Sequence, residues 1–192
     1  MKNFKNINVS KRGINMQNAY NQFIRDFSNT ICNLTENKVF SHVIFLCVGT
    51  DRITGDTFGP IVGHKLKRLY EDVRNIEVIG DLDDTVCDTN IECVMQNIRN
   101  NFDNPFIVAI DSALSSRENV GRIIVEDRGI FLGQGMGKNK MSIGDMSIKG
   151  VVARNLGNPK CNLQLLQNTS LSLVLDMAET VSQGIYASIQ CE

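Results

Sequence analysis

The fold of this chain follows from one stretch of sequence, Val43-Ile-Phe-Leu-Cys-Val-Gly-Thr-Asp-Arg-Ile-Thr-Gly-Asp-Thr-Phe-Gly-Pro60. Its first six residues are apolar and predict a buried strand. A polar loop with two aspartates and an arginine follows, and Gly59-Pro60 then leads into a segment with helical spacing. This order of strand, loop and helix is typical of α/β proteins, in which ligands and catalytic groups lie beyond the carboxyl ends of the strands.

The segments on either side of this stretch continue the alternation. Apolar spacing predicts helices at residues 15–33, 59–71, 90–100 and 163–189, the last with a break near Thr169 or Ser170. Strands are predicted at residues 43–48, 76–79, 106–110, 121–126 and 146–152. Strands that alternate with helices predict a mostly parallel sheet with right-handed crossovers. We expect residues 1–14 to form a loose N-terminal tail and residues 15–192 to form a single α/β domain.

Composition narrows the class of protein. The chain has 192 residues, and 20 basic against 21 acidic residues give a formal net charge of -1. We therefore expect no bulk attraction to nucleic acid or to an anionic membrane. The apolar runs are strand-sized, and no apolar segment follows the basic N-terminus, so no secretory signal is expected. Six cysteines without a C-x-x-C pair favour reduced thiols in a cytoplasmic protein.

Two aspartates are the candidate catalytic residues. Asp56 precedes a predicted helix, where it would serve equally well as a helix cap or as a carboxylate aimed into a cleft. Asp111 directly follows the apolar run 106–110, so it also projects from the carboxyl end of a strand. The first and third strands of such sheets are often neighbours, which would bring the two carboxyl groups together. Two close carboxyl groups split their proton affinities, as acid–base activation of water requires.

The other polar residues of these loops have more than one interpretation. Asp51 and Arg52 would support the aspartate pair or form a local turn and ion pair, and Asp145 would add a third carboxylate or cap a turn. Glycines with a lysine occur at Gly133, Gly135, Gly137 and Lys138. Their spacing differs from a P-loop, so a loop that lies close to a substrate chain is the better interpretation. Neither histidine has metal-ligand spacing, and no G-x-S-x-G serine elbow is present.

Several motifs resemble the YyaC-type sporulation proteins of endospore-forming bacteria. The likeness covers roughly residues 40–190 and rests on residues 47–60, 109–114, 119–122, 133–138, 143–148 and 165–173, in the same order. Members of that family are described as spore proteases and are similar to the germination protease, an atypical aspartic-type endopeptidase that degrades small acid-soluble spore proteins. The resemblance carries its two aspartates onto Asp56, in Gly-Asp-Thr-Phe-Gly-Pro, and Asp111, in Asp-Ser-Ala-Leu-Ser-Ser-Arg117.

Both groups are also similar to the hydrogenase maturation endopeptidases. That likeness implies a three-layer α/β sandwich with a mostly parallel central sheet, of the phosphorylase/hydrolase-like kind. In those enzymes two acidic residues and a histidine contact nickel. The acidic positions match Asp56 and Asp111 here, but no histidine follows His64, so Asp145 is the candidate for the third place. We assign no cofactor and no metal ligand, and a divalent metal stays open.

The resemblance implies a sporulation- or germination-associated endopeptidase of the forespore or spore core. Its partner would be a protein or peptide substrate, including small spore proteins, rather than nucleic acid or a membrane, and a homo-oligomer stays open. Which aspartate acts as the acid is not assigned at this point. The alternative is a non-catalytic binding protein of sporulation that retains the peptidase fold.

Overall fold

The computed structural model describes residues 5–8, 14–131 and 142–190. Its helices are α1 (Ile14–Thr35), α2 (Phe58–Leu69), α3 (Ile91–Asn101), α4 (Pro159–Gln167) and α5 (Leu171–Gln190). Its strands are β1 (Lys5–Asn8), β2 (Val43–Cys47), β3 (Ile76–Ile79), β4 (Phe106–Ser115), β5 (Arg122–Glu126), β6 (Ile130–Phe131), β7 (Ser142–Ile143) and β8 (Met146–Arg154). Helix α4 ends at Gln167 and α5 begins at Leu171, so the predicted break in the last helix is confirmed.

One six-stranded sheet forms the centre of the molecule, in the order β1-β5-β8-β4-β2-β3. Strands β3, β2, β4 and β8 pair in parallel, whereas β5 is antiparallel to β8 and β1 is antiparallel to β5. Strands β6 and β7 form a separate two-stranded sheet. The predicted neighbourhood of the first and third core strands is confirmed, since Val43 to Cys47 pair with Phe106 to Ile110.

Two apolar cores lie on opposite faces of this sheet, because successive strand side chains point to opposite sides. One face packs against α1, α2 and α5, and its buried strand residues are Phe45, Cys47, Phe106, Val108 and Ile110. The other face packs against α3 and the β6–β7 pair through Ile44, Leu46, Ile107 and Ala109. These layers confirm the predicted three-layer α/β fold with a mostly parallel sheet. None of the helices in the described ranges is long and apolar enough to span a membrane.

Two differences from the sequence-based expectation concern the strands. Residues 5–8, predicted to belong to a loose tail, form β1 and pair with β5. A polar tetrapeptide carries little strand signal, but its backbone satisfies hydrogen-bonding groups at the edge of β5. Strand β4 also continues five residues beyond Ile110, because β8 pairs with it as far as Ser115. Asp111 therefore lies inside a strand and just beyond the end of β2, rather than in a loop.

Candidate active site

A short 3₁₀ turn at Thr54–Thr57 positions Asp56 in front of helix α2. The helix cap position is occupied by Thr57 rather than Asp56, so the carboxyl group of Asp56 is available for other contacts. Its Oδ1 accepts a hydrogen bond from the Ser112 hydroxyl of β4 at 3.0 Å. The backbone carbonyl of Asp56 accepts a hydrogen bond from the Thr50 N–H at 3.1 Å. The turn is thereby attached both to the loop after β2 and to β4.

Two glycines allow this turn to lie against the end of β2. Gly49 has a φ of +145°, and a Cβ placed on it would lie 2.1 Å from the carbonyl oxygen of Asp56. A Cβ on Gly59 would lie 2.1 Å from the carbonyl oxygen of Val48. Both positions need a residue without a side chain, because the backbones approach too closely for any other.

The loop after β3 brings a third carboxylate, which the sequence did not single out. Val86 forms a parallel bridge with Val48, and its carbonyl accepts the Gly49 N–H at 2.8 Å. Asn90 secures the next turn by accepting the Cys87 N–H at 2.8 Å. Asp88 follows directly and is exposed. The strand-end rule that drew attention to Asp56 also applies to this loop and could have identified Asp88.

These segments, together with strand β4, line one cavity of about 340 Å³. Its lining residues come from the end of β2, the 3₁₀ turn, the loop after β3 and strand β4: Val48, Gly49, Thr50, Asp56, Cys87, Asp88, Thr89 and Asp111. The structure thus brings Asp56 and Asp111 together, as the strand-end argument predicted. Three carboxyl groups and no basic side chain occur among the described residues that line it.

The environment of the two aspartates separates their protonation. Burial and the neighbouring Asp56 carboxylate raise the pKa of Asp111 to about 8. Burial also raises the pKa of Asp56, but the hydrogen bond from the Ser112 hydroxyl counteracts part of that rise. Asp111 therefore holds its proton at neutral pH. A protonated and a hydrogen-bonded carboxyl group in one cavity are the two partners that general acid–base catalysis requires.

Three other predicted residues, Asp51, Arg52 and Asp145, do not line this cavity. Asp51 and Arg52 are exposed, and the backbone N–H of Arg52 donates to the Thr50 hydroxyl in a local turn. Asp145 is bound to the beginning of β4, where its Oδ2 accepts the Ile107 N–H at 2.9 Å. Four residues of strand, about 13 Å, separate that point from Asp111. This corrects the expectation that Asp145 joins the carboxylate pair: it caps the start of β4. Gly133, Gly135, Gly137 and Lys138 lie outside the described residues.

Neither histidine reaches the cavity. His42 precedes β2, at the other end of that strand, and its ring lies edge-on to Phe102 with 5.0 Å between centroids. His64 lies within α2 and does not line the cavity. Within residues 5–8, 14–131 and 142–190, no group of three or more His, Cys, Asp or Glu side chains is arranged to hold a metal ion. The residues present therefore do not fit a nickel site made of two acids and a histidine.

The fold is that of an α/β protein and is shared with a hydrogenase maturation protease of known structure. The structure of the NiFe hydrogenase maturation protease HycI from Thermococcus kodakarensis KOD1 is similar, with a TM-score of 0.53. The match covers 83% of this chain and 98% of HycI at 16% sequence identity, which shows a shared fold.

The chain belongs to the DUF1256 family, described as proteins of unknown function, which matches residues 12–184. It is 35% identical over 143 residues to the uncharacterized protein YyaC of Bacillus subtilis strain 168. That match covers 74% of this chain and 67% of YyaC. The YyaC-type resemblance seen in the sequence is therefore confirmed.

Proposed function

We propose that this protein is an endopeptidase in which Asp56 and Asp111 hydrolyse a peptide bond as an acid–base pair. The observation that carries the proposal is that Asp56 and Asp111 line the same cavity, where burial and the Asp56 carboxylate raise the pKa of Asp111 to about 8. Asp56 takes a proton from the attacking water, and Asp111 donates its proton to the leaving amine. Small acid-soluble spore proteins are the proposed substrates, following the resemblance to the germination protease.

Three further features support this assignment. The fold is shared with a maturation protease. The cavity opens at the carboxyl edge of the sheet, where α/β enzymes bind their substrates. Ser112 fixes one oxygen of Asp56, which orients that carboxylate to take a proton from the attacking water.

The direct test is incubation of the full chain with small acid-soluble spore proteins, with fragments identified by mass spectrometry. Asp56→Asn and Asp111→Asn should each lower the cleavage rate by about 10²- to 10⁴-fold, because one of the two proton transfers is lost. Asp72→Asn is the matched control: Asp72 is exposed and outside the cavity, so its variant should cleave as the wild type does. Circular dichroism should show the same fold in all variants.

Two results would contradict the proposal. Full activity in either Asn variant would show that the pair does not carry out the reaction. Complex formation with spore proteins without any cleavage would favour the alternative of a binding protein that retains the fold. Addition of a chelator distinguishes the aspartate pair from a metal-dependent hydrolase. Activity is expected to survive chelation, since among the described residues no group of three or more His, Cys, Asp or Glu side chains is arranged to hold a metal ion.

A further inference from the structure

A row of ion-paired side chains lies beside Asp111 on the central sheet. Glu126, at the end of β5, is 9% exposed, and its carboxylate forms ion pairs with two basic side chains. Lys149 Nζ lies 2.5 Å from Glu126 Oε2, and an Arg128 guanidinium nitrogen lies 3.1 Å from Glu126 Oε1. Two basic side chains thus contact one buried carboxylate, and one of them is Lys149 of the central sheet.

The strand register places Lys149 beside the candidate active site. Lys149 of β8 pairs with Asp111 of β4. Paired residues on neighbouring strands lie about 4.8 Å apart and project to the same face of the sheet. Glu126 pairs with Ser147, two positions before Lys149 on β8, and so lies on that same face. Lys149 is therefore between Glu126 on one side and Asp111 on the other.

We propose that Lys149 is a positioning residue for the carboxyl group of Asp111, fixed in place by its ion pair with Glu126. An unanchored lysine would project into solvent on its flexible stem, whereas the pair with a buried glutamate restricts it to the sheet. A role of Lys149 in catalysis rests on the proposed peptidase function. Its effect on the pKa of Asp111 does not depend on that function.

The charges that face Asp111 explain why such a residue matters. Asp56, from the 3₁₀ turn, and Asp88, from the loop after β3, both favour the protonated form, whereas Lys149 of β8 favours the ionised form. The backbone N–H of Ser112 and the ammonium group of Lys149 both act against burial and the two negative neighbours, so both favour release of the Asp111 proton. Of these two groups, Lys149 is the one whose charge a substitution can remove.

The test is a carbon-13 NMR titration of the Asp111 carboxyl group in the full chain, assigned by the signal missing from Asp111→Asn. Lys149→Met removes the charge and keeps the length of the side chain. It should move the titration upward by about one pH unit, the lower end of the effect of a nearby opposite charge. Lys149→Arg should restore the wild-type titration. Asp88→Asn removes a negative charge and should move it downward, which controls for the sign.

An unchanged titration in Lys149→Met would overturn the inference. Lys149→Met alone leaves the buried Glu126 carboxylate without its lysine, which would weaken folding. If it does, the double variant Glu126→Gln/Lys149→Met removes both charges of the pair together. The same upward movement is expected in that variant, and an unchanged titration there would also overturn the inference.

The NMR readout keeps this inference separate from the proposed function. A shifted titration in a chain that cleaves no peptide would refute the peptidase and leave the role of Lys149 standing. If the wild type cleaves peptides but the titration of Asp111 is unchanged in Lys149→Met, only the proposed role of Lys149 is refuted. If both hold, the alkaline limb of the kcat/KM profile should move upward in Lys149→Met together with the titration.

Discussion

At Asp111, burial and neighbouring negative charge act in the same direction on a single carboxyl group. Its pKa rises from an ordinary value of 3.8 to about 8. The folded chain therefore keeps this proton over a pH range in which the unfolded chain has already released it. Stability that depends on the proton is complete below about pH 4 and is lost as the pH rises through about 8. The candidate acid thus weakens the fold at alkaline pH.

Asp111→Asn should consequently stabilise the protein at alkaline pH, because the amide never acquires the buried charge. Each pKa unit corresponds to about 1.4 kcal/mol, and since solvent partly reaches Asp111 we expect a gain of about 1–3 kcal/mol near pH 9. The gain should shrink toward pH 5. Urea unfolding at both pH values measures it, with Asp72→Asn as the exposed control. An equal difference at the two pH values would contradict the proton argument.

The sequence predicted the two principal carboxylates because both follow apolar strand segments. It did not distinguish Asp88, which lies in a loop where several acidic residues precede it. It left Asp145 open between a third carboxylate and a cap, because the choice depends on the hydrogen bond from the Ile107 N–H to its side chain, and such a contact has no local signature in the sequence. The role of Lys149 was also hidden, since it depends on the register between β4 and β8.

At the level of elements, the close approach of α2 to the end of β2 determines where Asp56 lies. Gly59 lies in the first turn of α2 and is fully packed against the backbone of Val48. Helix α4 and the connection after it support the same turn from the other side, because a Cβ on Gly55 would lie 2.7 Å from Leu166 and 2.9 Å from Thr169. Together with Gly49 in the loop after β2, these contacts make the position of the candidate base, Asp56, depend on three glycines.

Gly59→Ala should displace the start of α2 from β2, because the added methyl group would lie 2.1 Å from a backbone oxygen. We expect a loss of about 1–3 kcal/mol in the free energy of unfolding and a further loss of peptide cleavage as Asp56 moves. Thermal unfolding and the cleavage assay measure the two effects. Arg68→Ala, exposed on the same helix, is the control, and equal behaviour of the two variants would refute the packing argument.

Most helices and core strands could be predicted because their apolar periodicity is strong. The extension of β4 could not, since Asp-Ser-Ala-Leu-Ser is mostly polar or small and becomes a strand through its pairing with β8. Strand β1 was missed for the same reason. In both cases pairing with a neighbouring strand stabilises a segment whose own residues have little strand propensity.

On the scale of the whole molecule, the sheet has one edge at β3 and the other at β1. Strand β1 covers β5, and its register runs from Lys5 with Val125 to Asn8 with Arg122. Without it, the outward-facing backbone groups of β5 would be left for water or for another chain.

Removal of residues 1–9 should therefore expose the edge of β5 while the parallel part of the sheet remains folded. Amides of β5 that point outward should exchange with deuterium about fivefold faster, in line with the loss of roughly 1 kcal/mol per hydrogen bond. Amides of β5 that point toward β8 are the internal control. Removal of residues 1–4 alone should leave both sets protected, and unchanged exchange after the longer truncation would refute the pairing.

Strand β4 extends beyond the end of β2, where, of the described strands, β8 alone pairs with it. Asp111 lies in the interior of the β4–β8 ladder, which is paired from Val108 to Ser115, although it is also at the rim of the cavity. Fraying starts at the ends of strands, where backbone hydrogen bonds open most readily. The candidate acid is thus held by a stretch of backbone that opens late, and the polar site keeps its geometry through the small local openings that loosen loops and termini.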